Sequence, residues 1–151
     1  GGGSQARVDD ILSWMANEVQ KSHAWAVGLC ELNGWGRLGK GFLDSHGRPS
    51  TQLLVSRAAS VGFAFSHLFA PKEHPYALGV MADTPLVVLR EIGPPTFERG
   101  LLHVRLPQRG LDLVIVHLHA HSAEARLDEA RVVSNLTRHL SDQGRPVLVM
   151  G

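Results

Sequence analysis

The order of helical and strand-like periodicities constrains the fold of this chain more than any single motif. An amphipathic helix is predicted at Gln5–Ser22 and another at Ser122–Leu140, where Ser122 is a good N-cap. Their apolar stripes are formed by Val8, Ile11, Leu12, Met15 and Val19, and by Leu127, Ala130, Val133, Leu136 and Leu140. Each helix is therefore expected to pack one face against a sheet.

Strand-like segments occupy most of the sequence between these helices. Trp25–Glu31 is apolar at nearly every position, so it is predicted to be buried on both faces. The other predicted strands are Gly62–Phe69, Ala77–Ala82, Leu86–Ile92, Leu101–Leu106, Leu111–Leu118 and Arg145–Gly151, and a short helix is predicted at Thr51–Ala59. This order predicts an α/β protein whose middle is largely antiparallel.

The last predicted strand stops with the sequence, at Gly151. Because terminal residues usually fray into solvent, this pattern favours residues 1–151 as an incomplete piece of one longer domain. The composition, with 44% hydrophobic and 19% charged residues, is that of an ordinary globular domain. We therefore expect the remainder of the same domain to be a partner of this segment.

Charge and hydropathy exclude some classes of protein. A net charge of +1 creates no global field that would favour nucleic acid or an anionic membrane. The longest apolar runs, such as Leu86–Leu89 and Leu113–Val116, are far shorter than the roughly 20 residues of a transmembrane helix. The single cysteine, Cys30, cannot form an internal disulfide, which fits a reducing, intracellular and most simply cytoplasmic location.

Glu31 is the first candidate functional residue, because it closes the buried strand. A carboxylate at the mouth of an apolar strand requires a cation, a hydrogen-bond donor or water. A metal-binding or catalytic role is one interpretation. The alternative is a glutamate that emerges into solvent or caps a turn.

His117, His119 and His121 alternate along the chain and form a second candidate group. Three imidazoles on one strand face could converge on a zinc ion. However, Ser122 begins a helix, so His121 is expected to point away. The pattern favours a structural or surface role for at least two of the three, and we predict that they do not share one zinc ion.

The segment Leu32–Pro49 contains five glycines and three positive charges, which is typical of a long, mobile or ligand-binding loop. A phosphorylated or nucleic-acid ligand could be held there by charge and stacking, and a solvated loop is the alternative. The residues concerned are Arg37, Lys40, Arg48, Trp35 and Phe42. Cys30, within the buried strand, is interpreted as a small hydrophobe instead of a nucleophile.

Short sequence blocks follow one another in an order known from one superfamily. They are Val27–Asn33, Leu78–Leu86, Glu98–Val104, Leu113–Leu118, a helix with Arg126 and Glu129, and Arg145–Gly151. Nearly the whole chain thereby resembles the endonuclease/exonuclease/phosphatase family, which includes pancreatic deoxyribonuclease, neutral sphingomyelinases, inositol-polyphosphate 5-phosphatases and polyadenylate deadenylases. The resemblance implies part of a four-layer α/β sandwich, with two mixed sheets face to face and helices outside.

The resemblance also implies site residues and a cofactor. Glu31 matches the family's Mg²⁺ ligand, with Mn²⁺ as an alternative ion and Cys30 in place of the usual glutamine. His117 matches the histidine beside the scissile phosphate, and Tyr76 matches an active-site tyrosine of some members. The ion would neutralise phosphate charge while the histidine stabilises the developing oxyanion. The implied activity is a metal-dependent phosphodiesterase or phosphatase.

The chain departs from the family's pattern in three places. No asparagine-bearing strand precedes Arg7, the "GDxN" block stops at Gly151, and the distal histidine block is absent. We therefore expect residues 1–151 alone to be inactive and poorly stable. The implied substrate is a phosphate ester within nucleic acid, a phospholipid or an inositol phosphate. The alternative is a pseudoenzyme that acts as a structural or interaction module in a larger assembly.

Strand alternation predicts the geometry of the implied site. Glu31 is expected to share a face with Val27 and Leu29, and His117 with Leu113 and Ile115. If both rows line one cleft, the Glu31 carboxylate and the His117 ring lie within about 10 Å, with open space for a metal-bound phosphate.

Overall fold

The computed structural model describes residues 5–33, 55–56, 58–60, 62–71 and 76–151. The predicted basic and aromatic loop residues therefore lie outside the described residues, namely Trp35, Arg37, Lys40, Phe42 and Arg48. Of the short helix predicted at Thr51–Ala59, the described positions 55, 56 and 58–60 are helical.

The described helices and strands follow the predicted order closely. In sequence they are α1 (Gln5–Ser22), β1 (Ala26–Asn33), β2 (Phe65–Phe69), β3 (Tyr76–Ala82), β4 (Val87–Ile92), β5 (Leu101–Leu106), a 3₁₀ turn (Pro107–Arg109), β6 (Leu111–Val116), α2 (Ala123–Asp142) and β7 (Val147–Met150). The bounds of α1 and β5 agree with the prediction. The strands β2, β6 and β7 are each two or three residues shorter than predicted. Before β2, the N–H of Phe63 donates to the carbonyl oxygen of Ala58 instead of to a neighbouring strand.

The strands form two sheets. The first has the order β1-β3-β2 and is antiparallel throughout its described part. The second has the order β4-β5-β6-β7 and is mixed, because β7 runs parallel to β6 after the crossover through α2. The predicted α/β class with an antiparallel middle is confirmed. Of the two sheets, the second is the mixed one within the described ranges.

Apolar side chains form three clusters, one between each pair of neighbouring layers of helices and sheets. One cluster joins α1 to the first sheet, and its members include Met15, Leu32, Phe63, Ala77 and Met81. The central cluster joins the two sheets and contains Leu78, Val80, Ala82, Leu102, Val104, Leu106, Leu113 and Ile115. A third joins the second sheet to α2, with Phe97, Leu101, Val114, Val116, Leu136 and Leu140. The layers are therefore helix, sheet, sheet and helix, as expected for part of a four-layer sandwich.

Among the described side chains, each predicted helix stripe has an exposed member. In α1 the side chain of Ile11 is 45% exposed, and in α2 that of Leu127 is 53% exposed. The start of α2 faces backbone groups beyond β6 instead of apolar side chains, so Glu129 is buried there at 4% exposure. None of the helices in the described ranges has the length and apolarity needed to cross a bilayer.

Candidate functional site

A β-bulge at the end of β1 determines where Glu31 points. Glu31 has a positive φ of 56°, and the register between β1 and β3 shifts between Leu29 and Leu32. Val27, Leu29 and Leu32 all pack into the cluster below α1. The prediction that Glu31 shares a face with Val27 and Leu29 is therefore wrong. Because of the bulge, Leu32 lies on that face instead of Glu31, and the Glu31 side chain points toward the second sheet.

Among the described residues, Arg99 and His117 contact the Glu31 carboxylate at one end of the second sheet. Arg99, just before β5, donates from Nη1 to Oε1 of Glu31 at 2.8 Å. The same Nη1 lies 3.0 Å from Nε2 of His117, which follows β6, and that Nε2 is 3.5 Å from the Glu31 oxygen. The predicted proximity of Glu31 and His117 is confirmed. The space between them holds the Arg99 guanidinium instead of being open.

Tyr76, at the start of β3, completes the group. The Arg99 guanidinium carbon lies 5.0 Å from the centroid of the Tyr76 ring, which is a cation–π contact. The bulge, the strand ends and Arg99 thus bring together the three residues that the sequence singled out. We call Glu31, Tyr76, Arg99 and His117 the Arg99 cluster.

The hydrogen bonds of this cluster define its chemistry. An arginine only donates, so Nε2 of His117 accepts from Arg99, and the neutral ring carries its proton on Nδ1. The Glu31 side chain is 44% exposed, that of His117 20% and that of Arg99 11%. A ligand from solvent can therefore approach a carboxylate, an imidazole and a guanidinium at one place.

Sequence reasoning missed Arg99 as a functional residue. It lies in the block Glu98–Val104 that supports the family resemblance, but an arginine before a strand carries no local signal for a site. Its proximity to Glu31 depends on two sheets facing each other. Only a contact between residues 68 positions apart in the chain reveals it.

Gly100 holds the backbone between Arg99 and β5 in a conformation that suits glycine. Its φ is +118°, and a Cβ added there would lie 3.1 Å from both the Phe69 ring and the Pro71 side chain. Its carbonyl also accepts a hydrogen bond from the backbone N–H of His117 at 3.1 Å. Gly100 therefore fixes both chain segments that carry the cluster.

Replacing Gly100 with alanine is expected to destabilise the protein by about 1–3 kcal/mol, because the residue would be strained at this φ and crowded as well. Gly110→Ala is the matched control, since its φ is +61° and no described heavy atom lies within 4 Å of the added Cβ. Urea unfolding should show a smaller loss for the control. Equal losses of unfolding free energy in the two variants would contradict a contribution from crowding at Gly100.

A metal ion would find one suitable ligand in the cluster. No group of three or more His, Cys, Asp and Glu side chains among the described residues is arranged to hold a metal. However, Mg²⁺ is commonly held by one or two carboxylates together with waters and phosphate oxygens. The partly exposed oxygens of Glu31 fit that type of binding, for Mg²⁺ or for Mn²⁺.

The three alternating histidines have different partners. His117 contacts Arg99, whereas Nδ1 of His119 accepts from the backbone N–H groups of His121 and Ser122 at 3.1 and 3.0 Å. The rings of His119 and His121 are perpendicular, with centroids 6.5 Å apart, and His121 is exposed. That these residues do not share one zinc ion stays a prediction.

Cys30 packs against the core between the sheets, and its thiol lies 3.6 Å from the carbonyl oxygen of Val116. Burial raises the pKa of the Cys30 thiol, and the neighbouring Glu31 charge raises it further. A raised pKa disfavours the nucleophilic thiolate. These contacts support its interpretation as a small hydrophobe.

Comparison with known proteins identifies the fold to which this geometry belongs. No family model matches the chain, and no curated protein matches it in sequence. Solved structures of TDP2 do match. TDP2 from C. elegans has a TM-score of 0.59 at 13% identity, over 98% of this chain and 43% of that one. TDP2 from D. rerio, humanized by 14 mutations, has a TM-score of 0.53 at 16% identity, over 97% and 55%.

A truncated TDP2 from Caenorhabditis elegans matches with a TM-score of 0.58 at 13% identity, over 97% of this chain and 55% of that one. This chain therefore has the fold of these TDP2 structures, which are members of the endonuclease/exonuclease/phosphatase superfamily. The family resemblance of the sequence blocks is thereby confirmed at the level of the fold. The chain spans about half the length of these TDP2 structures.

Proposed function

We propose that the Arg99 cluster is part of a metal-dependent site that hydrolyses a phosphodiester or phosphomonoester. The observation that supports this function best is the bulge at Glu31. It brings a carboxylate to 3.5 Å from an imidazole across two sheets, with a guanidinium beside both. Metal-ligand, proton-donor and anion-binding groups are the ones that phosphate-ester hydrolysis requires.

Each residue has a defined role in this proposal. Glu31 would hold Mg²⁺ or Mn²⁺, and the bound ion would neutralise charge on the phosphate. The planar fork of Arg99 suits phosphate oxygens, and the Tyr76 ring limits where the guanidinium can move. His117, once protonated on Nε2, donates a hydrogen bond to the phosphate.

The cluster as it stands must rearrange to bind a phosphate. Arg99 now donates to Glu31 and to Nε2 of His117. When an anion takes these donor groups, the Glu31 carboxylate becomes available to a metal ion and His117 Nε2 is freed to carry a proton. Substrate and metal are therefore expected to favour each other's binding.

A second function, an inactive structural or interaction module, has one observation in its favour. The Arg99–Glu31 ion pair joins the two sheets and fills the space that a metal-bound phosphate would need. The presence of Cys30 at the position of the family's usual glutamine agrees with this alternative. The substrate class, whether nucleic acid, phospholipid or inositol phosphate, is decided by experiment.

The test is hydrolysis by the purified full-length protein. Bis(p-nitrophenyl) phosphate, p-nitrophenyl phosphate and a short single-stranded oligonucleotide are each assayed with Mg²⁺, with Mn²⁺ and with EDTA. We expect turnover that EDTA abolishes, and a loss of about 10²-fold or more in His117→Ala, because a hydrogen-bond donor to the phosphate is removed. His121→Ala, at an exposed position, is the matched control and should keep the wild-type rate.

Folded protein that shows no turnover with any of these substrates would contradict the hydrolase proposal. It would favour the interaction module. Turnover that persists in EDTA would remove the metal ion from the proposal.

A further inference from the structure

We propose that Glu129 is the positioning residue of the Arg99 cluster, an inference that rests on the proposed hydrolytic function. Glu129 lies on α2, is 4% exposed and belongs to no apolar cluster. A buried carboxylate is costly unless hydrogen bonds compensate for lost hydration. Its partners therefore indicate what it does.

Both carboxylate oxygens of Glu129 accept hydrogen bonds from the main chain. Oε1 accepts from the N–H of Glu98 at 2.9 Å, and Oε2 accepts from the N–H of His119 at 2.5 Å. Glu98 immediately precedes Arg99, and His119 follows His117 by two residues. One side chain thus holds the two backbone segments that carry the guanidinium and the imidazole of the cluster.

Neighbouring residues of α2 hold only one of these segments. Arg126 donates to the carbonyl oxygens of His119 and Ala120 at 2.9 and 2.8 Å, and the Ser122 hydroxyl caps the helix at Ala125. These contacts anchor the chain after β6. Glu129 also holds the segment before β5, and so it adds a second tie between the two segments beside the Gly100–His117 backbone bond.

Apolar residues, and not only Glu129, hold α2 on the sheet. Leu136 and Leu140, farther along the helix, are buried in the third apolar cluster. Removing the Glu129 carboxylate should therefore leave α2 on the sheet while releasing Glu98 and His119. A displacement of about 1 Å in a catalytic group can lower a rate by about 10²-fold.

The chemistry of the side chain provides a graded series of variants. Glutamine has one carbonyl oxygen, so Glu129→Gln can keep one of the two hydrogen bonds, and its NH₂ group opposes the other N–H. Leucine, of similar size, keeps neither. Glu124→Gln, on the same helix but exposed, is the matched control.

The experiment uses the full-length protein and three readouts. NMR gives the ¹H shift and the exchange rate of the Glu98 and His119 amides, Mn²⁺ titration gives metal affinity, and steady-state kinetics gives kcat and KM. We expect both amides to move upfield and exchange faster in Glu129→Leu, and one of them in Glu129→Gln. We also expect kcat to fall by about 10²-fold in Glu129→Leu with little change in KM, and less in Glu129→Gln. If Glu129→Leu does not fold, the same three readouts are measured on Glu129→Gln.

The outcomes separate this inference from the proposed function. Unchanged amides and unchanged kcat in a folded Glu129→Leu would overturn the positioning role, and so would a loss of kcat that only tracks the unfolded fraction. If the wild type neither hydrolyses phosphate esters nor binds Mn²⁺, the proposed function fails, and with it the catalytic role of Glu129. In that case, shifted amide resonances of Glu98 and His119 in Glu129→Leu, together with a shifted Arg99 side-chain resonance, would support a purely structural role for Glu129 in joining the two segments.

Discussion

Glu31→Gln is expected to lower kcat/KM for phosphate-ester hydrolysis by about 10²–10³-fold at saturating Mg²⁺. Glutamine has nearly the same shape, so the bulge at φ 56° can persist. However, a neutral amide is a poorer ligand for a hard cation than a carboxylate is. Its hydrogen bond to Arg99 is also weaker than the charged hydrogen bond of the carboxylate. The measurement is steady-state kinetics, combined with circular dichroism and urea unfolding to show that the fold remains.

The control for this substitution is Glu18→Gln. Glu18 lies on α1 and pairs with Lys21 at an exposed site, 3.5 Å away, so the same chemical change there should leave the rate unaltered. Mn²⁺ affinity should fall in Glu31→Gln and not in Glu18→Gln. An unchanged rate at saturating Mg²⁺ would remove Glu31 from the site.

Asp112→Ala is expected to reduce the free energy of unfolding by about 3–5 kcal/mol, because it breaks a buried ionic network. Asp112, on β6, is fully buried. Its oxygens accept from His103 at 2.8 Å, from Arg105 at 2.6 Å, and from two nitrogens of Arg145 at 2.6 and 3.1 Å. Without the carboxylate, these groups on β5 and before β7 lose their shared acceptor.

Urea unfolding at neutral pH measures this loss. Asp128→Ala is the control, because Asp128 forms an exposed pair with Arg131 on α2, and such pairs contribute about 1 kcal/mol or less. Similar losses for the two variants would contradict the importance of the network.

The same network should make the wild type sensitive to acid. Burial lowers the pKa of His103 despite its hydrogen bond to Asp112, and its Nδ1 has no hydrogen-bond partner among the described residues. Burial alone would raise the pKa of Asp112, but the hydrogen bonds and charges of His103 and Arg145 outweigh it and lower that pKa.

Both pKa shifts change the stability of the folded protein in the same direction. The unfolded chain binds protons at the ordinary pKa values of 6.5 for histidine and 3.8 for aspartate, whereas the folded protein binds them only at lower pH. Stability should therefore decline as pH falls below about 6.5, and decline further below about 3.8. In Asp112→Ala the second decline should weaken, and an unchanged pH profile would contradict this account.

The sequence by itself determined much of the architecture. Apolar stripes and strand runs predicted α1, β5 and α2 within a few residues, because local periodicity reports which face of an element is buried. The order of short blocks indicated the fold. It also singled out Glu31, Tyr76 and His117, three residues that the structure brings to one place.

Only the tertiary structure decided how those residues meet. Alternation assigned Glu31 to the wrong face, because a single positive φ and a register shift reverse the sides of a strand and leave no periodic signal. Arg99 and Glu129 became recognisable only through contacts between distant segments. Such contacts depend on which layers face each other, and a local pattern does not encode that.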